Sequence, residues 1–222
     1  AAASIVLINV IAFILALLLT RKLKGTNIFR TIFFMPNLIG GIVLGYIWQI
    51  LINCLLTIIG QPLLALNSSA GYWGLIILMC WQQIGYMMII YIAGLQAVPE
   101  DMLEAAKIDG ANKWQQFKHI ILPGIKTILV LNVILSITGS LSAFEGPYVI
   151  TSGANGTATY FVRMDRLAHT SQKVGLASAM AIVLLIIILI CALLQNLFFK
   201  YVFKDADDGV EKARKQAAKI ER

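Results

Sequence analysis

The chain has 222 residues, of which 59% are hydrophobic and only 13% are charged, and its formal net charge is +7. Soluble domains usually carry about a quarter charged residues. A chain of this length cannot cover so many apolar side chains with polar surface, so the composition excludes a soluble globular domain. The net positive charge alone would suit nucleic acid binding, but its placement beside apolar segments argues against that function.

Long charge-free segments indicate membrane spans. No Asp, Glu, Lys or Arg occurs in residues 1–20, 31–99, 127–144 and 174–199. A membrane-spanning helix needs roughly 20 mostly apolar residues, and the longest segment is long enough to cross twice. The sequence therefore predicts an all-α polytopic membrane protein with five spans, near residues 1–20, 31–55, 72–95, 125–144 and 174–199.

The basic residues predict the orientation of these spans. Fifteen of the 18 Lys and Arg residues follow the first span, lie in or beside the segment 96–124, or follow the last span. The other three are Arg163, Arg166 and Lys173. Because Lys and Arg concentrate in cytoplasmic loops, the larger group is predicted to be cytoplasmic.

This orientation has consequences for both termini. The first span then runs from outside to inside, which places Ala1 outside and predicts one further helix before it, six in all. Residues 204–222 are predicted to form a solvated cytoplasmic tail with a helical middle, because Ala, Glu, Lys, Gln and Arg favour helix.

Familiar catalytic and cofactor motifs are absent from the sequence. It contains no GxxxxGK[ST] loop for phosphate, no HExxH, no GxSxG and no dinucleotide fingerprint. His119 and His169 fall on opposite sides of the predicted membrane and cannot share a metal. We therefore predict no enzymatic activity, no metal site and no bound cofactor.

The polar segment 96–124 interrupts the apolar chain. Pro99 suits the first position of a helix because its missing N–H is not needed there. Glu100 and Asp101 place negative charge against the positive end of the helix dipole, and Gly110 is a typical helix terminator. The pattern predicts a short helix over 99–109 at the membrane surface.

A second helix is predicted over 112–121. Trp114, Phe117 and Ile121 share one face at helical spacing, and that face is expected to pack on the membrane helices. Pro123 is expected to end the helix, since the residue before a proline disfavours helical geometry. From physical considerations alone, the segment is either an amphipathic hairpin on the membrane or a helix that docks into a partner protein.

One motif identifies a family. Glu104–Ala106 is followed after three residues by Gly110, and after nine more by Ile120, Leu122 and Pro123. This spacing resembles the EAA motif of bacterial ABC importer permeases. Two later stretches, "FEGPYVITSG" and "GLASAMAIVLL", resemble the first of the two permeases in carbohydrate uptake systems of the maltose/oligosaccharide type. The resemblance covers nearly the whole chain.

The resemblance implies a fold and partners. It implies a type I ABC importer transmembrane domain (MetI-like) over residues 1–203 in the bacterial cytoplasmic membrane. The expected partners are a second permease, a cytoplasmic ATPase dimer that binds the ATP, and an external sugar-binding protein. The EAA helix would be the coupling helix, with its ATPase contacts at Glu104, Ala105, Ala106 and Gly110.

The spans that flank this loop line the substrate pathway in the family. Polar side chains are costly against lipid and therefore tend to face the bundle interior. Such residues in the third and fourth spans are candidates to line a path for an uncharged sugar. The alternative is that they make hydrogen bonds between helices. The candidates are Gln83, Tyr86, Asn132, Ser136 and Ser140.

Glu145 stands alone as an acidic residue between Lys126 and Arg163. It is interpreted as paired with Arg163 or Arg166, or as solvated, in preference to a gating role. The loop 145–173 is predicted to fold over the outer mouth or to contact an external partner.

Three other functions remain as alternatives. Import of glycerol phosphate by the same machinery would need a cation in the pathway, and the predicted spans offer none. An ion-coupled secondary transporter would show charges within its spans and internal repeats. A structural membrane protein would show no ATPase docking at Glu104.

Overall fold

The computed structural model describes residues 2–20, 25–64, 66, 68–154 and 156–202. All regular structure in this part of the chain is helical. The α-helices are α1 (Ala2–Leu19), α2 (Thr26–Leu38), α3 (Gly41–Ile58), α4 (Ser68–Gln96), α5 (Glu100–Ile108), α6 (Lys113–Gln116), α7 (Leu122–Gly124), α8 (Lys126–Leu141), α9 (Glu145–Ile150), α10 (Tyr160–Asp165) and α11 (Val174–Val202). Two π-helical turns, Phe117–Ile121 and Arg166–Thr170, follow α6 and α10.

Five helical segments in the described part are long and apolar enough to cross a membrane. They are Ala2–Leu19, Gly41–Ile58, Ser69–Gln96, Lys126–Ile150 and Val174–Val202. Their number agrees with the five predicted spans. The predicted tail, 204–222, lies outside the described residues.

The prediction of a single helix for the second span was wrong. The sequence favoured one helix over 31–55, but α2 ends at Leu38 and α3 begins at Gly41. Ile39 between them is extended, with φ −83° and ψ 130°. Pro36 lies in the last turn of α2 and lacks an N–H, and the two glycines that follow Ile39 stabilise helix poorly. The helix is therefore interrupted within the apolar segment.

One hydrophobic cluster forms where α1 packs against α4. Ile8, Ala12 and Ala16 are fully buried at four-residue spacing on one face of α1. They pack on buried residues of α4 such as Met88 and Tyr91, and Ile125 at the start of α8 completes the cluster. We call this the α1 cluster.

A second cluster joins α3, α9 and the first half of α4. Its buried members include Leu44 of α3, Leu75 and Leu78 of α4, and Ile150 of α9. Gln49 fastens α3 to α9, because its Nε2 donates to the carbonyl oxygens of Val149 and Ile150 at 3.0 and 3.1 Å. We call this the α3 cluster. The 29-residue helix α4 contributes to both clusters.

Candidate coupling segment and translocation surfaces

The first half of the EAA segment (residues 96–124) is helix α5. Pro99 lies just outside the helix, in extended geometry, and Glu100 and Asp101 occupy the first turn. These two carboxylates favour the helix because they lie at the positive end of its dipole. The helix runs from Glu100 to Ile108, one residue shorter at each end than the predicted 99–109.

Gly110 terminates α5 with a Schellman motif. Its φ is +81°, which is the left-handed region that glycine adopts without steric cost. The Ala111 N–H donates to the Ala106 carbonyl at 2.9 Å, and the Gly110 N–H donates to the Lys107 carbonyl at 3.1 Å. This is the hydrogen-bond pair that defines the motif. Gly110 thus fixes the direction in which the chain leaves α5.

No residue of α5 is buried in this subunit. Glu104 and Ala105 are exposed and Ala106 is half-buried. Two large apolar side chains on the same helix are also exposed, Met102 at 53% and Ile108 at 86%. A carboxylate flanked by exposed apolar and small side chains on a short helix forms a surface suited to docking in a groove of another protein.

The second half of the segment begins with a capping box. The Gln115 N–H donates to Asn112 Oδ1 at 2.9 Å, and the Asn112 N–H donates to Gln115 Oε1 at 2.8 Å. The predicted helix over 112–121 is only partly α-helical: α6 ends at Gln116 and a π-helical turn covers Phe117–Ile121.

The expectation that Trp114 packs on the membrane helices was wrong. Trp114 is 69% exposed and stacks on Phe117, with ring centroids 5.6 Å apart. Gln116 is buried instead and donates to the Ala111 carbonyl at 2.8 Å. The π turn begins only at Phe117, so Trp114 and Phe117 still lie on one side of the segment, but only the second reaches the membrane helices. Phe117 contacts Phe13 of α1, with ring centroids 6.2 Å apart, and Ile121 packs against the α1 cluster, so the prediction is confirmed for these two residues.

Pro123 does not end the helical segment, contrary to the prediction. The Leu122 N–H donates to the Phe117 carbonyl across the π turn. Pro123 then lies at the start of α7, where a missing N–H is tolerated. The backbone continues through α7 into α8, so the EAA segment is joined to the membrane helices by nearly continuous helix.

The polar row on α8 is buried between helices. Asn132 and Ser136 are fully buried and Ser140 is 6% exposed. Asn9 on α1 connects this row to α4: its Nδ2 donates to Ser136 Oγ at 2.8 Å, and its Oδ1 accepts from Tyr91 Oη at 2.8 Å. The Asn132 amide also donates to the carbonyl of Met87 in α4 at 3.3 Å. For Ser136 the geometry supports the helix–helix alternative, whereas Asn132 pairs its Nδ2 but leaves its buried Oδ1 without a partner among the described residues.

Gln83 and Ser140 lack the partners that Ser136 has. The Gln83 amide lies against Gly139, where an added Cβ would approach Nε2 to 2.8 Å. Gln83 Oε1 and Ser140 Oγ, like Asn132 Oδ1, are buried without a hydrogen-bond partner among the described residues. Tyr86, one turn from Gln83, is 38% exposed. An unpaired buried oxygen is costly in an apolar environment, so these three oxygens are the stronger candidates to meet a polar ligand.

Two polar residues of the membrane helices were missed by the sequence analysis. Asn9 bridges α1, α4 and α8, and Gln195 of α11 donates to the Val130 carbonyl of α8 at 2.8 Å. The signal that could have identified them is an amide side chain within an apolar span. Such a side chain is costly in the membrane unless it forms hydrogen bonds with another helix.

Glu145 begins α9 and is exposed. Its side chain lies over Gly41, the first residue of α3, so closely that a Cβ there would overlap the carboxylate. Within the described chain, no ion pair joins Glu145 to Arg163 or Arg166, and Arg166 donates instead to the carbonyl of Ser152. The interpretation of Glu145 as solvated agrees with this exposure, and its position beside the break between α2 and α3 is new.

Comparison with known proteins places this chain in a family. The family model described as "Binding-protein-dependent transport system inner membrane component" matches residues 8–204, and the chain belongs to this family. It is therefore an ABC importer permease, a transport component of the membrane that is not itself an enzyme. Members of the family work with an ATPase and a substrate-binding protein.

Curated relatives are similar to this chain over most of its length. It is 38% identical to the probable starch degradation products transport system permease protein AmyD of Thermoanaerobacterium thermosulfurigenes, over 88% of this chain and 70% of that protein. It is 31% identical to the trehalose/maltose transport system permease protein MalF of Thermococcus litoralis, over 84% of this chain and 66% of that protein.

A solved structure supports the fold. The crystal structure of a bacterial ABC transporter that imports the acidic polysaccharide alginate matches with a TM-score of 0.74 at 20% identity. The match covers 86% of this chain and 72% of that one. The fold is therefore the all-α transmembrane fold of ABC importers that the EAA motif implied.

Proposed function

We propose that this chain is one of two permease subunits of an ATP-driven, binding-protein-dependent importer of sugars or oligosaccharides. The observation that carries the proposal is the high-coverage similarity to permeases whose names specify starch degradation products and trehalose/maltose. The absence of charged residues from most of the five spans suits an uncharged substrate.

The second permease, the ATPase dimer and an external sugar-binding protein complete the proposed assembly. The ATPase subunits bind the ATP, since this chain has no phosphate-binding loop of its own. Helix α5 couples this subunit to the ATPase. The residues at the contact are Glu104, Ala105, Ala106 and Gly110. Exposure of the first two residues and the Schellman termination at Gly110 support this role. The C-terminus is cytoplasmic, as the 15 basic residues on that side indicate.

Within the membrane, we assign Gln83, Tyr86, Asn132 and Ser140 to the sugar pathway ahead of Ser136. Gln83, Asn132 and Ser140 carry buried oxygens without a partner in the described chain, and Tyr86 is partly exposed. Hydroxyl groups of a sugar would supply the missing donors. Ser136 Oγ already accepts from Asn9 and donates to the Asn132 carbonyl.

The test begins with purification of the tagged chain in a mild detergent and identification of its partners by mass. Co-purification of a second permease and an ATPase is expected. The purified complex, reconstituted with its binding protein, should accumulate a labelled oligosaccharide when ATP is supplied. Recovery of a homo-oligomer without an ATPase would overturn the proposal.

A variant isolates the coupling step. Glu104→Lys reverses the charge at an exposed position and should abolish uptake while membrane insertion stays normal. Lys118→Glu, an equally exposed reversal in the second half of the EAA segment, is the matched control and should retain most of the uptake. Normal uptake by Glu104→Lys would show that this side chain is not an ATPase contact.

A further inference from the structure

Glu145 is the one acidic residue within the five membrane-spanning segments of the described chain. Its neighbour Gly146 lies against α4, because a Cβ on Gly146 would be 3.1 Å from Leu78 Cδ2. Leu78 follows Ser68, the first residue of α4, by ten residues, which is about 15 Å along the helix. The headgroup region is only about 5–8 Å thick on each side of the hydrocarbon core. Glu145 therefore lies at the depth of the hydrocarbon core.

Lipid is an unfavourable neighbour for this carboxylate. Glu145 is exposed in the isolated subunit, and no hydrogen bond or ion pair joins its carboxylate to another described residue. A charged side chain at this depth is costly against lipid, and such residues face the bundle interior or a water-filled cavity. In the assembled importer, the exposed side of α9 is therefore turned away from lipid.

An aromatic side chain lies beside the carboxylate. Tyr148 is one turn along α9 from Glu145 and is 47% exposed. Its ring packs on that of Phe144, with centroids 5.1 Å apart. The buried residues of α9 are Pro147, Val149 and Ile150. A carboxylate and an aromatic ring thus share the exposed side of this helix.

Polar groups continue on both sides of this pair. Towards the loop after α9, a cavity of about 370 Å³ is lined by Tyr148, Ser152, Asp165, Arg166, His169 and Thr170. Towards the middle of the membrane lie the unpaired oxygens of Gln83 and Ser140. Gln83 follows Leu78 by five residues on α4, so it is about 7–8 Å deeper. The exposed side of α9 therefore lies between a polar cavity and the candidate sugar contacts.

We propose that the exposed side of α9 is an outer sugar subsite, in which Glu145 accepts hydrogen bonds from sugar hydroxyls and the Tyr148 ring packs against a C–H face of the sugar. A carboxylate offers only acceptors, and hydrogen bonds to a charged group are roughly twice as strong as neutral ones. Small-ligand sites combine aromatic walls with a few polar groups. The subsite rests on the proposed import of sugars. A salt bridge to the second permease would use the carboxylate but not the cavity beside it.

The experiment uses the intact importer, reconstituted in proteoliposomes with its binding protein, and radiolabelled maltotriose as the probe. Uptake and ATP hydrolysis are measured in the same vesicles. Glu145→Gln keeps the size of the side chain but removes its charge. It should lower the sugar transported per ATP hydrolysed by about fivefold or more, because a sugar that is held less well escapes outward before the pathway opens inward. Assembly with the second permease should stay unchanged.

Two pairs of variants test the other parts of the subsite. Gly41→Ala displaces the carboxylate without changing its charge, because the added Cβ would overlap it, and it should also lower the ratio of sugar to ATP. Gly40→Ala is the matched control, since nothing lies within 4 Å of the added Cβ. Tyr148→Ala removes the ring and should lower the ratio, whereas Tyr201→Ala removes an 81% exposed ring at the end of α11 and should not.

Analogues of maltotriose that each lack one hydroxyl group test direct contact. The wild type should transport at least one of them less efficiently than maltotriose, because the hydroxyl group that binds Glu145 is missing. Glu145→Gln should discriminate much less between that analogue and maltotriose, since the charged partner of the hydroxyl group is already gone.

Three results would overturn the subsite and leave the proposed function intact. The first is an equal ratio of sugar to ATP for the wild type and Glu145→Gln. The second is loss of the second permease from the purified Glu145→Gln complex, which would show that Glu145 pairs with a cation of that subunit. The third is undiminished discrimination against every analogue by Glu145→Gln. A wild-type importer that accumulates no sugar would instead contradict the proposed function, and the subsite with it.

Discussion

Gly85 lies at a close contact between two membrane helices. A Cβ at this position would overlap the backbone carbonyl of Phe33 in α2 and approach Phe34 Cα, and neither atom can move without shifting the helix. Small residues allow helix backbones to approach closely in membranes. The sequence showed a glycine in the third span but not its partner, because the contact joins residues 52 positions apart.

Gly85→Ala is therefore expected to destabilise the permease by about 1–3 kcal/mol, the usual cost of overpacking. Thermal denaturation of the detergent-solubilised complex measures the effect. Gly40→Ala is the matched control, since nothing lies within 4 Å of a Cβ there and its φ is ordinary. Equal melting temperatures for both variants would show that α2 and α4 are not in contact at Gly85.

Asn9 is the residue on which the polar contacts of α1, α4 and α8 converge. Asn9→Leu removes the bonds to both Ser136 and Tyr91. The expected loss is about 0.6–1.7 kcal/mol for each interhelical hydrogen bond. A double-mutant cycle with Ser136→Ala, measured as unfolding free energy, should show coupling because the two side chains share one bond. Strict additivity would contradict the bond.

Two serines of α8 can distinguish a role in helix packing from a role in sugar transport. Ser136→Leu should lower the yield of folded complex and uptake together, because Ser136 is fully buried between helices. Ser140→Ala removes an oxygen without a partner in the described chain, and it should change sugar uptake with little loss of yield. A loss of uptake without a loss of yield in Ser136→Leu would instead indicate that Ser136 lines the pathway. The yield is measured by size-exclusion chromatography and uptake with labelled sugar.

At the scale of elements, the EAA segment was predictable where its signals are local. Pro99, the acidic first turn and Gly110 fix the bounds of α5 to within one residue. The second half was not predictable in the same way. A π-helical turn has no strong sequence signature. Periodicity also could not show that the side shared by Trp114 and Phe117 meets the membrane helices only from Phe117 onward.

Gly110→Ala should impair coupling without preventing insertion. Alanine at φ +81° is strained by about 1 kcal/mol. Relief of this strain changes the angle between α5 and the segment that follows it. ATPase activity stimulated by the binding protein measures the effect. Gly110→Asn, which tolerates the left-handed region better, should retain more activity. If Ala and Asn behave alike, the conformation of Gly110 does not control coupling.

The exposed apolar side chain of Ile108 is expected to contribute to ATPase docking. Ile108→Ser removes an 86% exposed side chain, so the fold of this subunit should not change. Co-purification of the ATPase should fall several-fold, because residues buried at the centre of an interface carry most of its binding energy. Lys107→Ser on the same helix is the control. Undiminished co-purification would place Ile108 outside the interface.

At the scale of the whole molecule, the spans were predictable because each one is a long run without charge. The break at Ile39 and Gly40 was not predicted, because glycine and proline are tolerated in membrane helices and do not by themselves end one. Tertiary packing also differs on the two sides of the break: α2 packs on α4 at Gly85, whereas α3 packs mainly on α9 through Gly45 and Gln49 and meets only the first half of α4. The two halves of the predicted helix therefore have different main neighbours.

The orientation leads to a prediction for the whole subunit. Lys113 lies in α6, ahead of α8, and Lys173 lies directly before α11, and both are exposed. The orientation places them on opposite sides of the membrane, which Lys113→Cys and Lys173→Cys can test. A membrane-impermeant maleimide should label Lys173→Cys in intact cells, and Lys113→Cys only after permeabilisation. The native Cys54, Cys80 and Cys191 lie within α3, α4 and α11 and should react slowly. The reverse labelling would invert the topology.

Helix α4 extends about 43 Å, since its 29 residues rise about 1.5 Å each. It is continuous, it contributes to both clusters, and α2 touches it near its middle at Gly85. A rigid helix that tilts about its middle moves its two ends in opposite directions. Only three residues, 97–99, lie between α4 and α5. A displacement of α5 that tilts α4 would therefore move the other end of α4, in the α3 cluster, in the opposite direction.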